Sequence, residues 1–157
     1  VTELRIAFTL NGEPCEVRTE AHRTLLEVLR ARGGVEVKEG CGEGVCGTCT
    51  VLLDGEPVSS CLVLAARAHG RDLLTVRGLG DDQAPHPLQS AFVAHGAAQC
   101  GFCTPGMLLA AYALLRDHPR ASRAEIRRAI AGNLCRCTGY TKIIDAIAAC
   151  AGGAARG

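Results

Sequence analysis

The chain has 157 residues, 17 Lys and Arg against 16 Asp and Glu, 48% apolar content and 21% charged, which excludes a disordered chain and allows one ordinary domain or two small ones. A formal net charge of +1 also excludes the electrostatic footprint of a nucleic-acid or anionic-membrane binder. Ten Cys are many for a reducing compartment, where structural disulfides are rare, and they point to metal or redox chemistry.

The chain starts Val1-Thr2-Glu3-Leu4-Arg5, without the basic segment and apolar run of an export signal, so the expected location is cytoplasmic. Residues 143–151 are apolar but broken by Asp145, far short of the ~20 residues that span a bilayer. From the N-terminus, Leu4, Ile6, Phe8 and Leu10 alternate with Arg5, Ala7 and Thr9, Asn11-Gly12 supplies a turn, and Cys15, Val17 and Thr19 resume the alternation. This predicts a hairpin with one buried face. Thr24 and Glu27 have capping-box spacing, and Leu25, Leu26, Val28 and Leu29 predict a short amphipathic helix ending at Gly33-Gly34. A second hairpin is expected over 50–58 around Asp54-Gly55, and a last strand over 73–76.

The texture changes between Gly78 and Pro87, where Gly80, Asp81, Asp82 and Pro85 also fall, so a domain boundary is expected there. Residues 1–77 read as a strand-rich unit and 78–157 as a helical one. Four helices are predicted, over 88–95, 105–117, 123–131 and 141–150. Thr104 before Pro105 reads as an N-cap, His118-Pro119 as a stop, and Ser122 with Glu125 as a capping box.

Cys41, Cys46, Cys49 and Cys61 form C-x4-C-x2-C-x11-C, whose opening spacing is that of plant-type ferredoxins holding a 2Fe-2S cluster. An anionic cluster needs backbone N–H donors at close range, and Gly40, Gly42, Gly44 and Gly47 supply residues that take positive φ and carry no Cβ. Cys100, Cys103, Cys135 and Cys137 form C-x2-C-x31-C-x-C, each pair just before a predicted helix start, where unpaired N–H groups favour an anionic cluster. Structural zinc is the alternative for both sets, more so for the second. Cys15 and Cys150 fit neither spacing and read as buried small hydrophobes. Gly42 to Gly47 also satisfies G-x-G-x-x-G but leads into a strand, which argues against a dinucleotide site. His22, His69, His86, His95 and His118 are scattered and read as surface or capping residues.

With both constellations in view, the sequence closely resembles the small iron-sulfur subunits of the molybdenum hydroxylases, the xanthine oxidase and carbon monoxide dehydrogenase family. The resemblance is carried by Lys38-Glu39-Gly40-Cys41 through Cys49-Thr50-Val51, by Asp54-Gly55 through Ser60-Cys61-Leu62, by Gln99-Cys100-Gly101-Phe102-Cys103-Thr104-Pro105-Gly106-Met107, and by Gly132-Asn133-Leu134-Cys135-Arg136-Cys137-Thr138-Gly139-Tyr140. Thr48 stands where the family more often has Ala. The resemblance implies an α+β chain: an N-terminal β-grasp ferredoxin-like domain, then a C-terminal four-helix bundle, each with one 2Fe-2S cluster. It implies a large partner subunit carrying a molybdenum-pterin cofactor and a medium subunit carrying FAD, assembled as a dimer of heterotrimers. Gln99 would hydrogen-bond the pterin, and Cys137 would be the ligand nearest to it. Electrons would pass from molybdenum through the helical-domain cluster, then the β-grasp cluster, to flavin, with no substrate site in this chain. A free-standing ferredoxin-like carrier is disfavoured because the chain lacks the strong net charge that steers transient docking.

Overall fold

Residues 1–152 are described in the computed structural model; the end of the expected second unit, 153–157, lies outside them. The first hairpin forms as its alternation requires. Strands β1 (Glu3–Leu10) and β2 (Glu13–Glu20) pair antiparallel with Ile6 opposite Val17 and Phe8 opposite Cys15. These four side chains are buried on one face. Asn11 at φ 52° and Gly12 at φ 85° make the turn, both positive as a tight two-residue hairpin turn demands. Thr24 caps α1 (Leu25–Ala31): its hydroxyl accepts from the Glu27 N–H, and the Glu27 carboxylate accepts from the Thr24 N–H.

Strands β3 (Thr50–Leu53) and β4 (Glu56–Ser59) form the second hairpin. Strand β5 (Asp72–Leu74) inserts between β1 and β3, parallel to the first and antiparallel to the second, giving the order β2-β1-β5-β3-β4. This strand is shorter than the expected 73–76: Val76–Gly78 is a turn of 3-10 helix. The cause lies at Thr75, whose N–H donates to Asn11 Oδ1 at 2.8 Å and whose hydroxyl donates to Glu36 Oε1 at 2.9 Å. Those side-chain partners replace the ladder and lead the chain off the sheet.

The second half contains α2 (Pro87–Ala94), α3 (Thr104–Asp117), α4 (Arg123–Ala129) and α5 (Thr141–Cys150), each within two residues of expectation. His86 caps α2 through Nδ1, which accepts from the Leu88 N–H, and Ser122 with Glu125 forms the box on α4. Thr104, however, is not an N-cap. It is the first residue of α3, Cys103 takes the cap position with no side-chain bond, and Thr104 Oγ1 is buried without a partner. An N-cap needs extended backbone, whereas Cys103 is already helical at ψ −17°, and the Thr104 N–H closes a turn onto the Gly101 carbonyl.

The chain is thus α+β, with a mixed five-stranded sheet and five α-helices among the described residues. One core lies between the sheet and α1, around Ile6, Phe8, Leu25, Leu29, Val51 and Leu73. A second lies among α2 to α5, around Leu88, Phe92, Met107, Ile126, Ile143 and Ile147. Strand β3 joins them because it is buried on both faces: Val51 and Leu53 enter the first core, while Leu52 packs on Leu109 and Ala113 of α3. Arg116 of α3 adds a hydrogen bond to the Gly55 carbonyl at 2.8 Å.

Candidate functional site

The first cysteine loop runs from the end of the α1 segment into β3. Backbone N–H groups converge on its sulfurs: Glu43 N–H donates to Cys41 Sγ at 3.3 Å, joined by Val45 and Cys46, and Gly44 N–H donates to Cys61. These donors stabilise the thiolate, and they hold the Cys41 pKa down at about 6. Burial, with the neighbouring Cys49 thiol, pushes Cys61 up to about 11. Gly42, Gly44 and Gly47 take positive φ; Gly40 does not. Gly40 is there for space, since a Cβ would lie 2.8 Å from the Thr48 methyl and 3.0 Å from Cys46 Sγ.

The second set sits at two helix entrances, with Cys100 and Cys103 before α3 and Cys135 and Cys137 before α5. Cys100 is held below the usual thiol range by the Phe102 N–H and then by Cys137. Burial raises Cys103 to about 12. Burial also opposes ionisation of Cys135, yet the Thr138 hydroxyl and the N–H groups of Thr138 and Cys137 keep this thiol below its ordinary value.

The eight thiols approach one another in twos. Cys100 and Cys137 sulfurs are 3.6 Å apart, and Cys41 with Cys46, Cys49 with Cys61, and Cys103 with Cys135 are likewise in mutual contact. No three His, Cys, Asp or Glu side chains among the described residues form a group suited to one metal ion. Two pairs per site fit a two-iron cluster, in which each iron takes two protein sulfurs; a single zinc gathers all its ligands around one centre at ~2.3 Å.

The two loops touch. Leu134 N–H, next to Cys135, donates to the Cys46 carbonyl at 2.8 Å. Asn133, 6% exposed, donates through Nδ2 to the Gly47 carbonyl at 2.9 Å, and Thr48 Oγ1 donates to the Phe102 carbonyl at 3.1 Å. Gly47 at φ 71° is pressed so closely on Gly132 and Asn133 that a Cβ there would strike the Gly132 carbonyl. Sequence reasoning singled out neither Asn133 nor the Leu134 contact. Asn133 carried one signal, its place beside the Cys135 pair, but its partners lie more than 80 residues away.

Gln99 is exposed beside Cys100 and Cys137, which are exposed too, and it makes no side-chain hydrogen bond among the described residues. Cys15 and Cys150 are buried in the two cores, each 8% exposed, and neither is a member of the four thiol pairs. The histidines are not gathered either: His69 Nδ1 accepts from the Ala7 N–H, and His86 caps α2. The segment 42–47 continues through a turn into β3, so no helix N-terminus follows it.

Comparison with known proteins agrees with this geometry. Residues 8–75 match the family described as 2Fe-2S iron-sulfur cluster binding domain, and residues 75–148 that described as [2Fe-2S] binding domain. The chain is 47% identical to the nicotinate dehydrogenase small FeS subunit of Eubacterium barkeri, covering 94% of both chains. It is 44% identical to the xanthine dehydrogenase iron-sulfur-binding subunit of Escherichia coli O157:H7, again over 94% of both. Among solved structures, a chain of quinoline 2-oxidoreductase from Pseudomonas putida 86 superposes with a TM-score of 0.94 at 47% identity, over 99% of this chain and 98% of that one. The chain therefore belongs to the small 2Fe-2S subunits of the molybdenum hydroxylases and is the iron-sulfur subunit of a molybdenum-containing oxidoreductase, with a 2Fe-2S binding domain in each half.

Proposed function

We propose that the chain relays electrons between a molybdenum-pterin cofactor on a large partner subunit and FAD on a medium one. Cys100, Cys103, Cys135 and Cys137 would hold the cluster that receives them, and Cys41, Cys46, Cys49 and Cys61 the cluster that passes them on. Each 2Fe-2S cluster supplies a one-electron carrier. The observation that carries the reading is the 2.8 Å bond from the Leu134 N–H to the Cys46 carbonyl, which links a residue adjoining one thiol group to a member of the other. Exposure of Cys100, Cys137 and Gln99 on one edge supports docking of the large subunit there, with the Gln99 amide on the pterin. Residues 1–77 are read as a β-grasp ferredoxin-like domain, on the strength of the mixed sheet packed on α1, and residues 78–157 as a four-helix bundle. A dimer of heterotrimers and a cytoplasmic location complete the proposal. No helix among the described residues is long and apolar enough to cross a membrane.

The test is made in the assembled complex, first assayed with nicotinate, xanthine and quinoline, the compounds named by the relatives. Gln99→Ala should keep both clusters and normal reduction by dithionite. Reduction by substrate should slow, because a lost buried hydrogen bond to a cofactor is worth about 1–3 kcal/mol. Unchanged substrate-driven reduction would return Gln99 to a structural loop role, and flavin reduction that persists in Cys135→Ala lacking the second cluster would overturn the relay.

A further inference from the structure

Of the eight thiols, Cys135 is the one with a side-chain hydroxyl on its sulfur among the described residues: Thr138 Oγ1 lies 3.1 Å from Cys135 Sγ. Three residues close a ring there. The Tyr140 N–H donates to Thr138 Oγ1 at 3.2 Å, and the Cys135 N–H donates to the Tyr140 phenol oxygen at 2.9 Å. Because Thr138 Oγ1 already accepts from Tyr140, its own proton is left for the sulfur. A metal-bound thiolate carries no proton, so in the loaded protein Thr138 is the donor and Cys135 Sγ the acceptor.

Tyr140 is held at φ 68°, a left-handed conformation unfavourable for a residue with a side chain. Such backbone persists where the surroundings over-determine it, often at functional sites. Here it turns the Tyr140 N–H onto Thr138 while the phenol reaches back to Cys135. The sulfurs of the first site receive backbone N–H groups, so the hydroxyl distinguishes the second site from the first.

We propose that Thr138 is a positioning residue that raises the reduction potential of the cluster in the helical half by donating its hydroxyl proton to Cys135 Sγ. This rests on the cluster reading of the preceding section. Reduction adds one electron, turns one ferric ion ferrous, and moves no proton and breaks no bond; in the titration below dithionite is the reductant. The added negative charge falls partly on the ligand sulfurs and strengthens an O–H donor bond to them, so the donor favours the reduced form.

The test is a dithionite titration of the full chain carrying both clusters, followed by electron paramagnetic resonance, with the wave lost in Cys135→Ala assigned to the second site. Thr138→Val should keep all its iron and shift that wave to lower potential by about tenfold in the reduction equilibrium, which is about 59 mV for a one-electron couple. The first site's wave should not move, and Thr138→Ser should return the second site's wave to its wild-type position. A Thr138→Val protein with full iron and an unmoved wave overturns the proposal, as does a Ser variant shifted as far as the Val one. Loss of the second cluster from Thr138→Val and Thr138→Ala alike also overturns it, since the hydroxyl would then hold the site together rather than tune it. Wild-type chain without iron and labile sulfide would instead refute the underlying cluster reading.

Discussion

The two thiol groups share a plan and differ in what they face. In the first, Cys49 and Cys61 are buried while Cys41 and Cys46 are half-buried, in a glycine loop backed by the sheet. In the second, Cys103 is buried and Cys135 half-buried, but Cys100 and Cys137 are exposed at two helix entrances. Each site thus has a more buried inner pair and a more exposed outer pair. The outer pair of the first site includes Cys46, which meets the second site; the outer pair of the second opens to the surroundings. On the proposed relay, the open second site would meet the large subunit, while the junction at Cys46 would pass electrons on to the first site.

Replacing Cys61, the proposed closing ligand, tests the buried site most severely. Cys61→Ser should lose about half of the iron and loosen the whole sheet-bearing half, because a small domain depends on its metal cross-link. Cys137→Ser removes an exposed thiol proposed as a ligand and should lose the second cluster with a smaller fall in melting temperature. Calorimetry with iron analysis compares the two, and equal destabilisation would erase the distinction between them.

The junction comes next. Asn133→Ala strips the Gly47 carbonyl of a donor from the other half while leaving the Thr50 N–H and hydroxyl on it, so denaturant unfolding should show a loss of about 1–3 kcal/mol. Both clusters should remain, with electron exchange between them slowed. Full stability in the variant would mean that this amide does not hold the halves in register.

A subtler contrast appears as the pH is varied. After mild removal of metal under conditions that keep the fold by circular dichroism, Cys41 should be alkylated readily at pH 7, since its pKa near about 6 leaves it largely thiolate. Its rate should drop as the pH falls through that value. Cys61 at about 11 and Cys103 at about 12 stay protonated at pH 7 and should resist. Mass spectrometry of the labelled peptides reads the order directly. Smallest of all, Cys15→Ser and Cys150→Ser should leave iron content unchanged and cost about 1 kcal/mol for a buried hydroxyl; loss of a cluster in either would mean that the eight ligands are wrongly chosen.

What the sequence made legible was local. The Leu4 to Thr19 alternation and the Thr24 and Ser122 boxes each concern residues close together, and each is in the structure. The insertion of β5 between β1 and β3 was not legible, because spacing along one strand says nothing about which edge it joins. Thr75 ended that strand early for a reason held 64 residues away, the Asn11 side chain. Thr104 had the residue type of an N-cap but not the backbone, which the turn at Gly101 had already wound into helix. Leu134 against Cys46 is a contact between backbone groups of distant loops, so no side-chain pattern could announce it.

The most direct measurement is the iron, acid-labile sulfide and zinc content of natively purified protein, with spin counting after full reduction by dithionite. Two clusters on eight thiolates predict about four iron, about four sulfide and about two unpaired spins per chain. About two zinc per chain with negligible iron and no spin signal would contradict the account at its base.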